Sequence, residues 1–293
     1  MRLQELDTHR LAIVPLIGSP VSATFAPNVY NRLFDEYGIN AVSRPIEIHP
    51  AQLPEFLQAV RLLGIPGFVL TAPLKSAIVP LLDDVDDVSR LFNSVNVVRL
   101  VDGRFRGSGL DGVGVIGSFD SRGVELSGKR VMMIGAGGVA GILAAAFAER
   151  GASQLTIVNR TLPKAEAIGV ALRSFCDMDV TTEELTVENL NRLGPEVDVV
   201  LQATTLGMKS SDRDWTDLEF LAHVRTDAWV MEAVSNPVRT SFVRAAEEHG
   251  LNVILGVDMM VEQLGAIFSY LLDIDVPREG KAIAREFFRE RVG

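Results

Sequence analysis

The 293-residue chain holds a single cysteine, Cys176, and four histidines, His9, His49, His223 and His249, with no metal-ligand spacing among them. An internal disulfide is thereby excluded, no protein-built metal site is expected, and the lone thiol fits a reducing compartment. Basic residues are in the minority, 28 Lys and Arg against 38 Asp and Glu, for a formal charge of -10. That balance argues against a nucleic-acid partner. Internal repeats and low-complexity tracts are absent. Residues 1 to 10 carry Arg2, Glu5, Asp7 and Arg10 with no apolar core before Leu11, so no secretory signal is expected and the expected location is cytoplasmic. A membrane-spanning run is almost present: Val131 to Ala148 is uncharged. Three glycines in its first half, with Arg130 and Glu149 at its ends, make it a poor span, and it reads as a buried strand followed by a buried helix.

What the chain does have is concentrated in that same stretch. The apolar run Val131 to Ile134 has the length and branching of a buried strand. Gly135-Ala136-Gly137-Gly138-Val139-Ala140 follows, a G-x-G-x-x-A form of the dinucleotide fingerprint. Glycines there allow a tight turn and let backbone reach a pyrophosphate, which meets the amides at the start of the next helix. Val139 to Arg150 is rich in alanine and leucine, Gly151 is placed as a left-handed C-terminal cap, and Leu155 to Val158 completes a βαβ unit.

The residue ending the second strand selects the cofactor. An acid there would accept from the adenosine ribose hydroxyls and repel a 2′-phosphate. This chain has Asn159, Arg160, Thr161 and, one helical turn on, Lys164. An amide, a guanidinium, a hydroxyl and an ammonium suit a phosphomonoester, which favours NADP while leaving NAD possible. Thr161 also fits a helix cap followed by a solvated basic turn, and both uses are compatible.

Alternating β and α segments precede this unit and favour a parallel sheet. A strand at Leu11 to Ile17 is broken by Gly18-Ser19-Pro20; a helix starts at Ala26, with Gly38 just past its end; Ile39 to Ile48 is β-like; Ala51 to Leu63 is an amphipathic helix closed by Gly64; Gly67 to Thr71 is a strand. The acidic run Asp83 to Asp87 reads as a solvated helix start. Asp102-Gly103 between apolar runs is a hairpin signal. Gly107 to Gly114 has four glycines in eight residues and reads as a hinge, or as backbone in close approach to a ligand. The first domain is expected to cover residues 1–112, the second 113–257. Further strands are predicted at Val197 to Ala203, Ala228 to Val234 and Asn252 to Leu255, whose carboxyl ends put Thr204, Ser235 and Gly256 on the ligand side. Asp258 to Leu272 reads as a long apolar helix.

A nicotinamide enzyme needs a protein group to carry the proton of its alcohol or carbonyl. Lys75 follows Thr71-Ala72-Pro73-Leu74 at a strand's carboxyl end, and Asp111 is its natural partner. A lysine beside a carboxylate can hold a substrate oxygen and relay its proton. The residues alone favour the commoner use of each, Lys75 as a solvent-facing helix residue and Asp111 as a helix cap.

Nine segments, taken in order, resemble the shikimate dehydrogenase family over nearly the whole chain: Gly18-Ser19-Pro20 with Thr24 and Pro27; Thr71 to Lys75; Ser94-Val95-Asn96; Asp111 to Gly114; Gly135 to Gly138; Asn159-Arg160-Thr161; Ala203-Thr204; Asn236-Pro237; and Gln263. The resemblance implies two α/β domains, an N-terminal substrate domain and a Rossmann dinucleotide-binding domain, with helices in 258–293 returning to the first and a cleft between the two. It implies Lys75 and Asp111 as the catalytic pair and Thr24, Thr71, Asn96, Ser235 and Gln263 at the substrate. It implies Gly135, Ala136, Gly137, Gly138 and Val139 at the pyrophosphate, Asn159, Arg160, Thr161 and Lys164 at the adenosine, and Thr204 and Gly256 beside the cofactor.

Departures gather at the substrate. The family's Ser-x-Ser becomes Thr24 and Ala26, its second-domain tyrosine becomes Ser235, and Val69 and Leu110 replace an asparagine and a threonine. Each lost hydrogen bond to a charged group is worth about 1.5–3 kcal/mol unless Ser22 or Ser235 compensates. The resemblance thus implies a shikimate or quinate dehydrogenase-like paralogue with a less polar pocket and an altered or broader substrate. It would transfer hydride between NAD(P) and a small cyclic hydroxy acid in the service of aromatic amino acid biosynthesis or a related pathway, as a monomer or homodimer. The alternatives are a nucleotide-responsive metabolite-binding protein without turnover and, less well matched, a folate-type dehydrogenase of similar two-domain build.

Overall fold

A computed structural model of the chain describes residues 11–21 and 24–292. It divides into two compact units, one made of the residues up to Leu110 together with those from Val261 onward, the other of Asp111–Met260.

In the first unit the chain runs β1 (Ala12–Gly18), α1 (Ala26–Glu36), β2 (Ala41–Glu47), α2 (Leu53–Leu63), β3 (Gly67–Leu70), α3 (Leu74–Ala77), β4 (Asp84–Val85), α4 (Asp87–Leu91), β5 (Val97–Val101) and β6 (Arg104–Ser108). The sheet order is β2-β1-β3-β5-β6-β4. The pairings β2-β1, β1-β3 and β6-β4 are parallel, whereas β5 runs antiparallel to both β3 and β6. The expectation of a parallel sheet therefore holds for every pairing except the two that β5 makes. Between β5 and β6 the reversal comes from the Asp102-Gly103 turn, where φ values of 51° and 74° give a tight connection that folds the chain back on itself. The acidic run starts a helix: the Asp86 carboxylate caps α4 by accepting from Ser89 N–H at 2.8 Å and Ser89 Oγ at 2.7 Å. Leu53, Leu57 and Val60, one face of α2, are buried with Phe68, Leu70 and Phe105 of the sheet. The chain's last segment completes this unit's core, where Phe268 stacks on Phe34 and meets Tyr30 edge-on.

The second unit has α5 (Asp111–Asp120), β7 (Arg130–Ile134), α6 (Ala140–Glu149), β8 (Gln154–Asn159), α7 (Leu162–Phe175), β9 (Asp179–Glu184), α8 (Val187–Leu193), β10 (Val199–Gln202), β11 (Trp229–Glu232), α9 (Ser241–Glu248) and β12 (Asn252–Ile254). All six strands are parallel in the order β12-β11-β10-β7-β8-β9, a doubly wound Rossmann sheet whose order reverses between β7 and β10. Two helices end the chain, α10 (Gly256–Leu272) and α11 (Arg278–Val292), and the boundary between the units falls within α10.

The division between the two units falls inside the glycine-rich segment 107–114, between Leu110 and Asp111. β6 runs to Ser108 and α5 begins at Asp111, so Gly112 and Gly114 are helical. Gly112 is small for packing: a Cβ there would stand 2.9 Å from Ala146 Cβ and 3.2 Å from the Ile142 carbonyl oxygen, which lets α5 and α6 approach closely. None of the helices among the described residues is long and apolar enough to cross a membrane.

Candidate active site

In the first unit, three strand ends bring the predicted substrate residues to one sheet edge. Thr71 leaves β3 with its N–H bonded to Ile17 O of β1 at 2.8 Å. Leu70 N–H bonds Asn96 O at 2.8 Å, and Val95 N–H bonds the Lys75 carbonyl at 2.9 Å, so Thr71, Lys75 and Asn96 are held by one ladder. Asn96 is buried, and its Oδ1 accepts from Leu110 N–H at 2.7 Å, which fixes the end of the β6 exit. Lys75 is half-buried on the short α3. Thr24 Oγ1 accepts from Ala26 N–H at 3.4 Å at the start of α1; Ser22 lies outside the described residues. Gln263, on α10, has a buried Oε1 with no hydrogen-bond partner among the described residues. An acceptor left unsatisfied in this way is what a ligand hydroxyl would satisfy. Its neighbour Glu262 is clamped by Lys281 Nζ at 2.6 Å and by Arg285.

In the second unit Asp111 opens α5 and is 4% exposed. The strand ends carry the other predicted residues: Gly135 after β7, Asn159 at the end of β8, Thr204 after β10, Ser235 after β11 and Gly256 after β12. All lie on the carboxyl edge of the sheet, where open α/β sheets bind ligands.

The fingerprint fits a dinucleotide. Gly135 has φ of +122°, and a Cβ on it would stand 2.8 Å from the Ala203 carbonyl. This is the crossing of β7 and β10, and only glycine passes. Cβ positions on Gly137 and Gly138 meet nothing within 4 Å, so the turn ahead of α6 is open on that side, with Val139 as the helix N-cap. Gly256 has a packing role, since a Cβ would stand 2.1 Å from Val234 O.

Asn159 is engaged at both ends, its Oδ1 accepting from Ala136 N–H at 3.2 Å and its Nδ2 donating to Thr161 O at 2.8 Å. Thr161 takes the N-cap position of α7, yet its side chain makes no capping bond, and its hydroxyl is left for another partner. Arg160 and Lys164 are exposed. A cavity of about 520 Å³ opens here, lined by Asn159, Arg160, Thr204 to Leu206 and, from a later loop, Asp212 to Asp214. No motif pointed to that loop; its only sequence signal is a cluster of charges following a predicted strand.

Behind this edge lies a polar network that sequence reasoning also missed. Glu232 is fully buried; its Oε1 accepts from Gln202 Nε2 at 3.1 Å and Val234 N–H at 2.8 Å, and its Oε2 from Thr240 Oγ1 at 2.7 Å. Burial without a paired cation pushes its carboxyl up to about 7. Gln202 also accepts from Thr204 N–H, so the network ties the exits of β10 and β11 and the start of α9 together.

A doubly wound sheet with an open glycine cradle, in a chain whose other α/β unit bears a lysine among strand ends, defines a two-domain dinucleotide-binding protein of the oxidoreductase type. Residues 16–98 match the shikimate dehydrogenase substrate binding domain, and residues 119–213 match shikimate/quinate 5-dehydrogenase. A shikimate dehydrogenase (NADP(+)) of Symbiobacterium thermophilum is 30% identical over 279 residues, covering 94% of this chain and 95% of that protein. A solved shikimate dehydrogenase in complex with NADP+ superimposes with a TM-score of 0.86 at 26% identity, covering 96% of each chain. A ligand-free 5-ketofructose reductase from Gluconobacter shares the fold, with a TM-score of 0.85 at 22% identity over 97% of this chain and 99% of that one. The chain belongs to the shikimate dehydrogenase family.

Proposed function

We propose that this chain is an NADP-dependent dehydrogenase, able to accept NAD, that interconverts an alcohol and a ketone on a small cyclic hydroxy acid of the shikimate or quinate class. The first unit holds the substrate and the second the coenzyme. The observation that carries this reading is the ladder that fixes Thr71, Lys75 and Asn96 on one sheet edge. The backbones of a candidate proton carrier and two polar residues are tied together there, in a chain whose other half has a dinucleotide cradle.

Bound NADP supplies or accepts the hydride. The Lys75 ammonium donates a hydrogen bond to the substrate oxygen, giving up its proton when a carbonyl is reduced and recovering it when an alcohol is oxidised. Asp111 orients the ammonium and favours its charged form. Thr71, Asn96 and Gln263 hold the ring hydroxyls, and Thr24 and Ser235 border the carboxylate. The amides from Gly135 to Val139 take the pyrophosphate, Thr204 and Gly256 flank the coenzyme, and Arg160, Thr161 and Lys164 take the adenosine 2′-phosphate beside Asn159. With Ala26, Ser235, Val69 and Leu110 in place of polar or aromatic groups, the substrate is less polar than shikimate, or the enzyme is broader in its choice. The enzyme works in the cytoplasm as a monomer or homodimer. A binding protein without turnover is not favoured, since a sensor has no need of a proton carrier.

The test is coenzyme reduction with a panel of hydroxylated cyclic acids, shikimate and quinate included, by wild type and Lys75→Ala. Wild-type turnover with a loss of about 10²–10⁴-fold in kcat in the variant is expected. Full activity in Lys75→Ala would remove the role given to Lys75, and wild-type binding of dinucleotide with no turnover on any acid would remove the dehydrogenase reading.

A further inference from the structure

The cavity beside Asn159 and Arg160 is completed by the loop after β10, and that loop is pinned on either side of Arg213. Gly207 N–H donates to Arg213 O at 3.0 Å, and Arg213 N–H donates to Ser211 Oγ at 3.2 Å. The next residue, Asp214, accepts from Trp215 N–H at 2.8 Å and from Ser241 Oγ at 2.5 Å, which ties the loop to the first turn of α9. A Cβ on Gly207 would lie 3.2 Å from Thr240 Cβ and 3.3 Å from Asp214 Oδ1, so the loop sits tightly on that turn. Backbone and acid are thus spent on holding the loop. The Arg213 side chain is not: it lines the cavity, it is exposed, and neither it nor Arg160 has an ion pair among the described residues.

A phosphomonoester carries about -1.5 to -2 charges near neutrality and three acceptor oxygens, more than one guanidinium neutralises or saturates. Two arginines from separate chain segments, with no other partner and lining one cavity, are the arrangement such a group requires. We propose that Arg213 is a further specificity-determining cation for the adenosine 2′-phosphate, acting with Arg160 and Lys164. The proposal rests on the NADP reading given above. Asp212 and Asp214, on the same lining, are the opposing charges: they lower the affinity for a 2′-phosphate and keep NAD admissible by limiting the net positive charge of the cavity, and Asp212 is the one that can be changed without loosening the loop.

Adjacent substitutions should therefore act with opposite sign. The test is calorimetric titration of the full chain with NADP+ and, separately, NAD+, which needs no knowledge of the substrate. Arg213→Gln is expected to weaken NADP+ by about tenfold or more and NAD+ by less than about twofold, as Arg160→Gln should. Asp212→Asn is expected to tighten NADP+ severalfold and leave NAD+ unchanged. If Arg160→Gln abolishes the preference for NADP+ while Arg213→Gln leaves it intact, or if Arg213→Gln weakens both dinucleotides equally, the proposal is overturned and the NADP reading stands. If the wild type shows no preference for NADP+ over NAD+, the NADP reading fails and the proposal with it.

Discussion

Asn159, the last residue of β8, accepts a hydrogen bond from the backbone N–H of Ala136 at 3.2 Å. One side chain thereby couples the residue proposed to select the coenzyme to the turn proposed to hold its pyrophosphate. Asn159→Asp keeps the acceptor for Ala136 and puts a negative charge where a 2′-phosphate would lie. It also replaces the donor to Thr161 O. NADP+ affinity is expected to fall by about tenfold or more, with NAD+ retained within a few-fold, by direct titration. A parallel loss of both would mean that Asn159 acts on the turn alone.

Glu232 makes the fold's stability depend on pH. Burial raises its carboxyl from 4.5 to about 7. The folded state therefore prefers the neutral acid: the contribution is greatest below pH 4.5, is lost progressively as pH rises to about 7, and is constant above that. The change is roughly 3 kcal/mol at 1.36 kcal/mol per unit. Glu232→Gln keeps an acceptor for Val234 N–H and a donor for Thr240 without ionising. Its stability relative to wild type, from urea midpoints at pH 5 and pH 8, should rise with pH; a pH-independent difference would contradict the argument.

Gly112→Ala sets two effects against each other. Replacing a helical glycine gains about 1 kcal/mol in propensity, but overpacking costs about 1–3 kcal/mol. With Ala146 Cβ at 2.9 Å and backbone at 3.2 Å, the second should win, lowering the urea midpoint. Ala146→Gly in the same chain should recover part of the loss, giving a favourable coupling in the double-mutant cycle. A stabilised single variant would show that α5 and α6 can separate at little cost.

The substrate departures can be reversed. Ser235→Tyr together with Ala26→Ser restores the family's pattern for a carboxylate, and each recovered hydrogen bond to charge is worth about 1.5–3 kcal/mol. Turnover of shikimate, as kcat/KM, should rise by tenfold or more. No gain would locate carboxylate recognition elsewhere in the chain.

The parts legible in the sequence were those set by local rules. Asp102-Gly103 dictates its hairpin, Gly64 ends α2 with φ of +64°, and the Gly135 turn follows from backbone sterics between two apolar strands. Where long-range packing decides, the sequence was silent or misleading. The packing role of Gly112 was hidden because nothing in residues 107–114 reveals that Ala146 will lie against it. The edge strand β9, Asp179–Glu184, is polar and acidic because only one of its sides pairs, so it lacks the apolar run that marks its neighbours. The Asp212 to Asp214 lining and the buried Glu232 depend on which loops meet, and neither has a periodicity to betray it.

The first unit's core is closed by Phe268 against Phe34 and Tyr30. During synthesis, then, the segment that starts the chain waits on the one that ends it. The Asp111–Met260 unit can complete itself on the ribosome while its predecessor still exposes aromatic surface. Of the two halves, the earlier-translated one is the later to mature and the one for which a chaperone would matter.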